Sequence, residues 1–273
     1  IKLASALALT DGWRSIDSAS RWTEGFMAVN NRVSDEISNP EPKNVHTMEH
    51  RFRGYLPVVI DIETGGFNAS TDAMLEIAAT IIQMDDTGNV YPGDTYRYHV
   101  KPFEGANIEP ASLEFTGIKP DHPLRPSQAE TEVLIDLFGH IRKAMKTMSC
   151  KRAIIVAHNA AFDQNFLNAA TERCDIKRSP FHPFSSFDTA SLAGLTLGQT
   201  VLAKACFEAG IPFDNDDAHS ARYDTEKTAD LFCYMVNRWK AMGGWPPPAP
   251  NKWAKCLIKL AFLLIRLRNY TLC

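Results

Sequence analysis

Leu56-Pro-Val-Val-Ile-Asp61-Ile-Glu63-Thr-Gly-Gly66 is the stretch on which the fold turns. It opens as a short apolar run rich in β-branched residues, the pattern of a strand buried on both faces. It closes with two carboxylates two residues apart, and side chains two apart on a strand share a face. Asp61 and Glu63 therefore project together, while Ile62 turns the other way. Side by side they repel and raise each other's pKa unless a cation sits between them, and a hard divalent ion held by oxygen relieves that repulsion. Taken alone, Asp-x-Glu is also a common solvated strand end. Thr64-Gly65-Gly66 then breaks the strand.

Outward from this stretch, Met74 to Met84 and Tyr96 to Val100 read as further strands, and Ala153 to Ala157 as a short apolar one. Helical spacing appears over Thr131 to Met145, with Val133, Leu134, Leu137, Phe138, Ile141 and Met145 on one face. Helices are also expected over Ala161 to Arg173, over Thr200 to Ala209 up to the stop at Gly210 and Pro212, and over Asp224 to Trp239. Early antiparallel strands followed by strand–helix alternation predict an α/β fold, a mixed sheet flanked by helices. Three zones divide the chain: an N-terminal extension over 1–50 closing in a Ser-Asn-Pro-Glu-Pro-Lys linker, a strand–helix domain over 51–245, and a Pro-rich then basic, apolar tail over 246–273. Met48 stands just before the central zone, and a natural start there is one expectation.

Two more acidic motifs follow. His158-Asn-Ala-Ala-Phe-Asp163 leads from the strand ending at Ala157 into a helix, which puts Asp163 in the first helical turn. There it would also complement the helix dipole. His219-Ser-Ala-Arg-Tyr-Asp224 opens the last long helix, whose apolar stripe is read as Ala221, Thr225, Thr228, Leu231, Phe232, Met235 and Trp239. Asp224 falls on that stripe, where an unpaired charge is costly, so a metal site or a catalytic partner would account for it. Asp-x-Glu, then Asp, then His-x₄-Asp, each at a strand end or helix start, resembles the DnaQ-like exonucleases of the DEDDh type. The resemblance implies an RNase H-like fold and two Mg²⁺ ions, with Mn²⁺ as a substitute, bound by Asp61, Glu63, Asp163 and Asp224. It implies His219 as the general base.

Longer stretches resemble one branch of that family, the homodimeric exoribonucleases: Arg51-Phe-Arg-Gly-Tyr-Leu-Pro, Thr64-Gly-Gly-Phe-Asn, Leu113-Glu-Phe-Thr-Gly-Ile, Pro180-Phe-His-Pro-Phe-Ser-Ser-Phe-Asp-Thr, Gly198-Gln-Thr-Val-Leu and Asn237-Arg-Trp-Lys-Ala-Met-Gly-Gly-Trp. This implies hydrolysis of single-stranded RNA 3′ ends to 5′-mononucleotides, with tRNA and other stable RNA precursors as substrates and single-stranded DNA as a further one. It implies Phe67, Phe115, Phe162 and Phe184 as base-stacking residues. It also implies a basic patch of Arg51, Arg53, Lys146, Arg152 and Lys177 that serves the partner subunit. The competing readings are a DNA proofreading-type exonuclease, an oligoribonuclease, or a nucleic-acid-binding module without catalysis.

Bulk properties set the frame. The 273 residues carry a net charge of −3, so any nucleic acid must be held by a local basic patch or through metal ions. The six cysteines are scattered with no Cys-x-x-Cys pair, which argues against a structural zinc site and for reduced thiols in a cytoplasmic protein. The longest apolar stretch, 257–265, is interrupted by Lys259 and falls far short of a membrane span, so no membrane partner is expected.

Overall fold

The computed structural model describes residues 46–214, 218 and 220–247. The linker of the N-terminal extension, the tail beyond 247 and His219 lie outside them. Six strands form one sheet: β1 Tyr55–Thr64, β2 Met74–Met84, β3 Val90–Lys101, β4 Ser127–Ala129, β5 Arg152–Ala157 and β6 Phe181–Asp188. Their order is β4-β3-β2-β1-β5-β6. β2 runs antiparallel to β1 and β3, whereas β1, β5 and β6 are mutually parallel, so the sheet is mixed as expected.

Among the described residues the α-helices are α1 Pro110–Thr116, α2 Glu130–Thr147, α3 Ala161–Arg173, α4 Thr189–Leu197, α5 Leu202–Ala209 and α6 Ala221–Ala241. From Leu56 to Ile60 every β1 side chain is buried, and β2 is buried from Met74 to Ile82. Both faces of the sheet centre are therefore covered. α6 packs on β1, β2 and β3, and α2 on β2, β3 and β5. The expected stripe of α2 is buried at Val133, Leu134, Leu137, Phe138 and Ile141.

The sequence reading departs from the structure in several places, among them the short α1 and β4, where no element is expected. β3 starts at Val90, ahead of the expected Tyr96, because its first half pairs with the far end of β2. β6 and α4 together fill 181–197, where no element was expected. Alternating Pro, Ser and Phe disguises that strand, and Asp188 caps the helix by accepting from the Ala190 amide. α5 begins at Leu202, after the left-handed Gly198 that closes α4. Trp239, read as the end of the α6 stripe, is 56% exposed. The chain folds back over it instead, and a Cβ at Gly244 would lie 2.1 Å from its ring.

Candidate active site

The site forms where β1 ends. Asp61 and Glu63 leave the same face of β1, as the two-residue period requires, and Ile62 between them is only 5% exposed. α6 lays its first turn against this sheet and brings in Asp224. Carboxylate oxygens of Asp61, Glu63 and Asp224 lie within 4.8 Å of one another. Asp163 sits in the first turn of α3, and its Oδ1 accepts a hydrogen bond from the Ile62 amide at 3.0 Å. It stands beside the trio and is not one of the three that converge.

Electrostatics mark the cluster as short of positive charge. Burial, then Asp224, Glu76 and Asp163, push the Glu63 carboxyl up to about 8. Asp163 is also pushed to about 8, by burial and by Asp188, against the opposing pull of backbone amides at Asp163 and Ile62. Asp61 is raised well above the carboxylate range by burial first and then by Asp163, Glu63, Asp224 and Glu76. An all-oxygen donor set whose ionised form is this costly suits a hard divalent cation. The residues present therefore fit a metal centre built on Asp61, Glu63 and Asp224, with Asp163 adjoining.

Glu76 was not singled out from sequence. It is the direct partner of Glu63 across β1 and β2, and it is buried. Arg97 grips both of its oxygens, with Nε at 2.8 Å and Nη2 at 2.9 Å, and His99 Nδ1 lies 3.1 Å away. The signal available was a lone carboxylate inside the apolar run of β2.

A cleft of about 560 Å³ opens beside Glu63, and Phe67, Phe115, Phe162 and His158 line it. Phe67 is 84% exposed on the loop after β1, and its ring stands 6.3 Å from Phe162. The loop is fixed from beneath by Asp72, which accepts from the Asn68 amide, Thr71 Oγ1 and Asn107 Nδ2. Burial would raise the Asp72 carboxyl, but these bonds outweigh it and hold it below its usual value. Only glycine fits at 66, where a Cβ would come 2.1 Å from Asp72 Oδ2. His158 is held by Thr189 Oγ1 at 3.0 Å and the Thr200 carbonyl at 2.8 Å. Its burial favours the neutral ring against the pull of that carbonyl, Asp188 and Asp224.

The remaining expected residues separate. Phe184 is exposed on β6 and lies against His182, with ring centroids 4.6 Å apart, and is not part of the lining of the aromatic cleft. A second cleft of about 620 Å³ gathers Arg152, Lys177, Arg142, Lys151, Arg178 and His182. Arg53 adjoins it: its guanidinium lies 5.1 Å from the Tyr55 ring, itself 5.5 Å from the His182 ring. Lys146 is exposed on α2 but does not line this cleft. Arg51 corrects the sequence reading. It is 3% exposed, donates to the carbonyls of Gly88 and Val236, and packs 4.1 Å from the Trp245 ring. A guanidinium spent inside the protein presents no surface to a phosphate.

A mixed sheet with flanking helices, and acidic side chains from β1 and α6 meeting at its centre, defines a class: a family profile described as an exonuclease matches residues 58–232. Ribonuclease T from Shewanella sp. (strain W3-18-1) and from Shewanella putrefaciens (strain CN-32) are each 62% identical over 203 residues, covering 74% of this chain and 91% of theirs. The chain belongs to the ribonuclease T family of exonucleases. Among solved structures, E. coli Exonuclease I in complex with a dT13 oligonucleotide matches with a TM-score of 0.53 at 18% identity, over 70% of this chain and 43% of that one. The chain thus spans less than half the length of Exonuclease I. A full-length 3′-exonuclease matches with a TM-score of 0.52 at 16% identity, over 67% of this chain and 82% of the other. At such identities the likeness concerns the fold.

Proposed function

We propose that this protein is a 3′→5′ exoribonuclease that hydrolyses single-stranded RNA ends to 5′-mononucleotides. The observation that carries the reading is the meeting of Asp61, Glu63 and Asp224 within 4.8 Å beside a cleft lined by phenylalanines. The 62% identity to two proteins named ribonuclease T supports RNA as the substrate class. Transfer RNA ends and stable RNA precursors are the proposed targets, with single-stranded DNA as a lesser one. The proposed setting is the cytoplasm: four described cysteines are free thiols, and no described helix is long and apolar enough to cross a membrane.

Asp61, Glu63, Asp163 and Asp224 would hold the metal ions, proposed as two Mg²⁺ with Mn²⁺ as a substitute. Bound there, the cations would polarise the scissile phosphate, lower the pKa of a water and offset charge on the leaving oxygen. The chain's own residues do the rest. Asp163 keeps its carboxylate oriented through the Ile62 amide. His219, one residue before the Ser220 N-cap of α6, is the proposed acceptor of the water's proton; an imidazole near neutral pH suits that role. Phe67, Phe115 and Phe162 stack the terminal bases, which tolerates any sequence because every base has a π face. Arg53, Lys146, Arg152 and Lys177 would feed RNA to the active site of a partner subunit in a homodimer, with the exposed Phe184 ring available to stack a base.

The test is a side-by-side digest of single-stranded RNA, single-stranded DNA and tRNA, with and without Mg²⁺. Metal-dependent release of 5′-mononucleotides, fastest from RNA, is expected. His219→Ala should slow it by about 10²–10⁴-fold, the usual worth of a general base. Digestion that persists in chelator, or in Asp224→Ala, would remove the proposal.

A further inference from the structure

A further cleft lies beside Glu76, the strand partner of Glu63. It measures about 540 Å³ and is lined by Arg97, Lys119, His122, Arg125, Glu76 and Ser220, among others. Three features tie it to the site. Thr116, at the end of α1, lines both this cleft and the aromatic one. Ser220 caps the helix that carries Asp224. Glu76 is the strand partner of Glu63. α1 therefore stands between an aromatic cleft lined by Glu63 and a basic one lined by that residue's strand partner, Glu76.

The basic cleft is built by a loop with a fixed shape. The His122 amide donates to the Lys119 carbonyl, and the Arg125 amide to the His122 carbonyl, at 3.1 and 2.9 Å. These successive turns bring residues three apart onto the same wall. Arg125 anchors the loop by donating to the carbonyls of Val100 and Leu75. Arg97 is committed to Glu76 through Nε and Nη2. Lys119 has no such structural duty: it is exposed and, among the described residues, forms no ion pair. Three cations against one carboxylate line a concavity next to a cluster that is otherwise strongly acidic.

We propose that this cleft is a phosphate site for the strand being digested, with Lys119 as its principal contact. The inference rests on the exonuclease reading above. A strand whose terminal bases occupy the aromatic cleft places its scissile phosphate at Asp61, Glu63 and Asp224. Its preceding phosphates must then leave past a flank of that cluster, and the Lys119 wall offers them a cationic flank. The same chemistry would accept the phosphate of a released 5′-mononucleotide, so the test separates the two.

Lys119→Glu, with Lys119→Arg as the conservative control, is measured in three ways. Binding of a trinucleotide and a dodecamer RNA is followed by fluorescence anisotropy without divalent metal, across a salt series. KM and kcat on the dodecamer are then measured with Mg²⁺, and inhibition by 5′-AMP is titrated. The expected result for Lys119→Glu is dodecamer Kd and KM raised about three- to tenfold, unchanged kcat, an unaffected trinucleotide and a log–log salt slope smaller by about 0.7. Lys119→Arg should match the parent protein. Weaker 5′-AMP inhibition with dodecamer binding intact would keep the phosphate site but assign it to product. No change in either, or equal weakening of trinucleotide and dodecamer, overturns it. The anisotropy arm needs no turnover, so a parent protein that binds RNA but fails to cut it would count against the exonuclease reading and not against this site.

Discussion

The Ile62 amide donates to Asp163 Oδ1 at 3.0 Å, so the strand that presents Asp61 and Glu63 also fixes the carboxylate arriving from α3. Asparagine at 163 can keep that bond through its own carbonyl oxygen while losing the charge. Asp163→Asn should therefore fold normally and lose at least about a hundredfold in kcat, since charge stabilisation by a metal site is worth several kcal/mol. Without metal the variant should melt higher than the parent at pH 8, because a costly buried carboxylate is gone. Paired kinetics and thermal melts in chelator check both halves. A variant as active as the parent would detach Asp163 from the chemistry.

Stability of the metal-free protein should fall as pH rises from about 4 to about 8. Glu63 and Asp163 ionise near 8 in the folded protein, against about 4 for ordinary carboxyls. Between those values the folded state binds more protons than the unfolded one, so the slope of stability with pH is negative. The contribution is whole below the unfolded value and is lost as pH passes the folded value. Metal binding must displace these protons, so affinity for Mg²⁺ should climb over the same range. Calorimetry in two buffers of different ionisation enthalpy would reveal proton release at pH 7. A flat melting temperature from pH 5 to 8 in chelator would contradict the raised values.

Phe67 and Phe166 give a paired contrast in the same neighbourhood. Phe67 is 84% exposed beside the cleft, whereas Phe166 is 1% exposed and packs 4.9 Å from Phe162 in the core. Phe67→Ala should leave stability within about 0.5 kcal/mol of the parent, as surface changes usually do. RNA affinity should drop about five- to a hundredfold, the value of one lost base stack. Phe166→Ala should destabilise by about 3–5 kcal/mol. Chemical denaturation with an RNA titration separates the two, and a Phe67→Ala protein that unfolds would show the ring to be structural.

Where the sequence could be read, its periodicity was unambiguous. β1 and β2 are apolar runs of strand length, and Asp-x-Glu follows directly from the two-residue period. α3 runs from Ala161 to Arg173, as expected from the pattern. Legibility failed where tertiary context overrode local signal. Phe181–Asp188 carries Pro183 and two serines, yet parallel pairing with β5 makes it a strand. Glu76 is hidden because one buried carboxylate in an apolar run only becomes visible once the register sets it opposite Glu63 and the Arg97 and His99 side chains enclose it. The aromatic set rests on the family resemblance, and no local pattern in the sequence separates Phe184 from Phe67, Phe115 and Phe162, which line one cleft.

The family resemblance implies one basic patch containing Arg51 and Arg152, and their surroundings predict opposite phenotypes. Arg51 is buried beneath Trp245 and supplies the carbonyls of Gly88 and Val236 with donors. Burial lowers its pKa to about 10, still far above neutrality, so it stays charged at pH 7. Arg51→Ala removes that packing and leaves buried carbonyls unpaired, a cost of about 2 kcal/mol or more. Arg152 is exposed in the cluster with Lys177 and Lys151, and its side chain reaches the Phe181 carbonyl at 3.2 Å. Arg152→Ala should be tolerated by the fold, weaken RNA binding and reduce the log–log salt slope by about 0.7. Melting temperature and salt-dependent anisotropy, measured on both variants, decide the matter. If Arg51→Ala melts with the parent and loses RNA affinity instead, its guanidinium reaches phosphate in solution and the inward packing is not its working state.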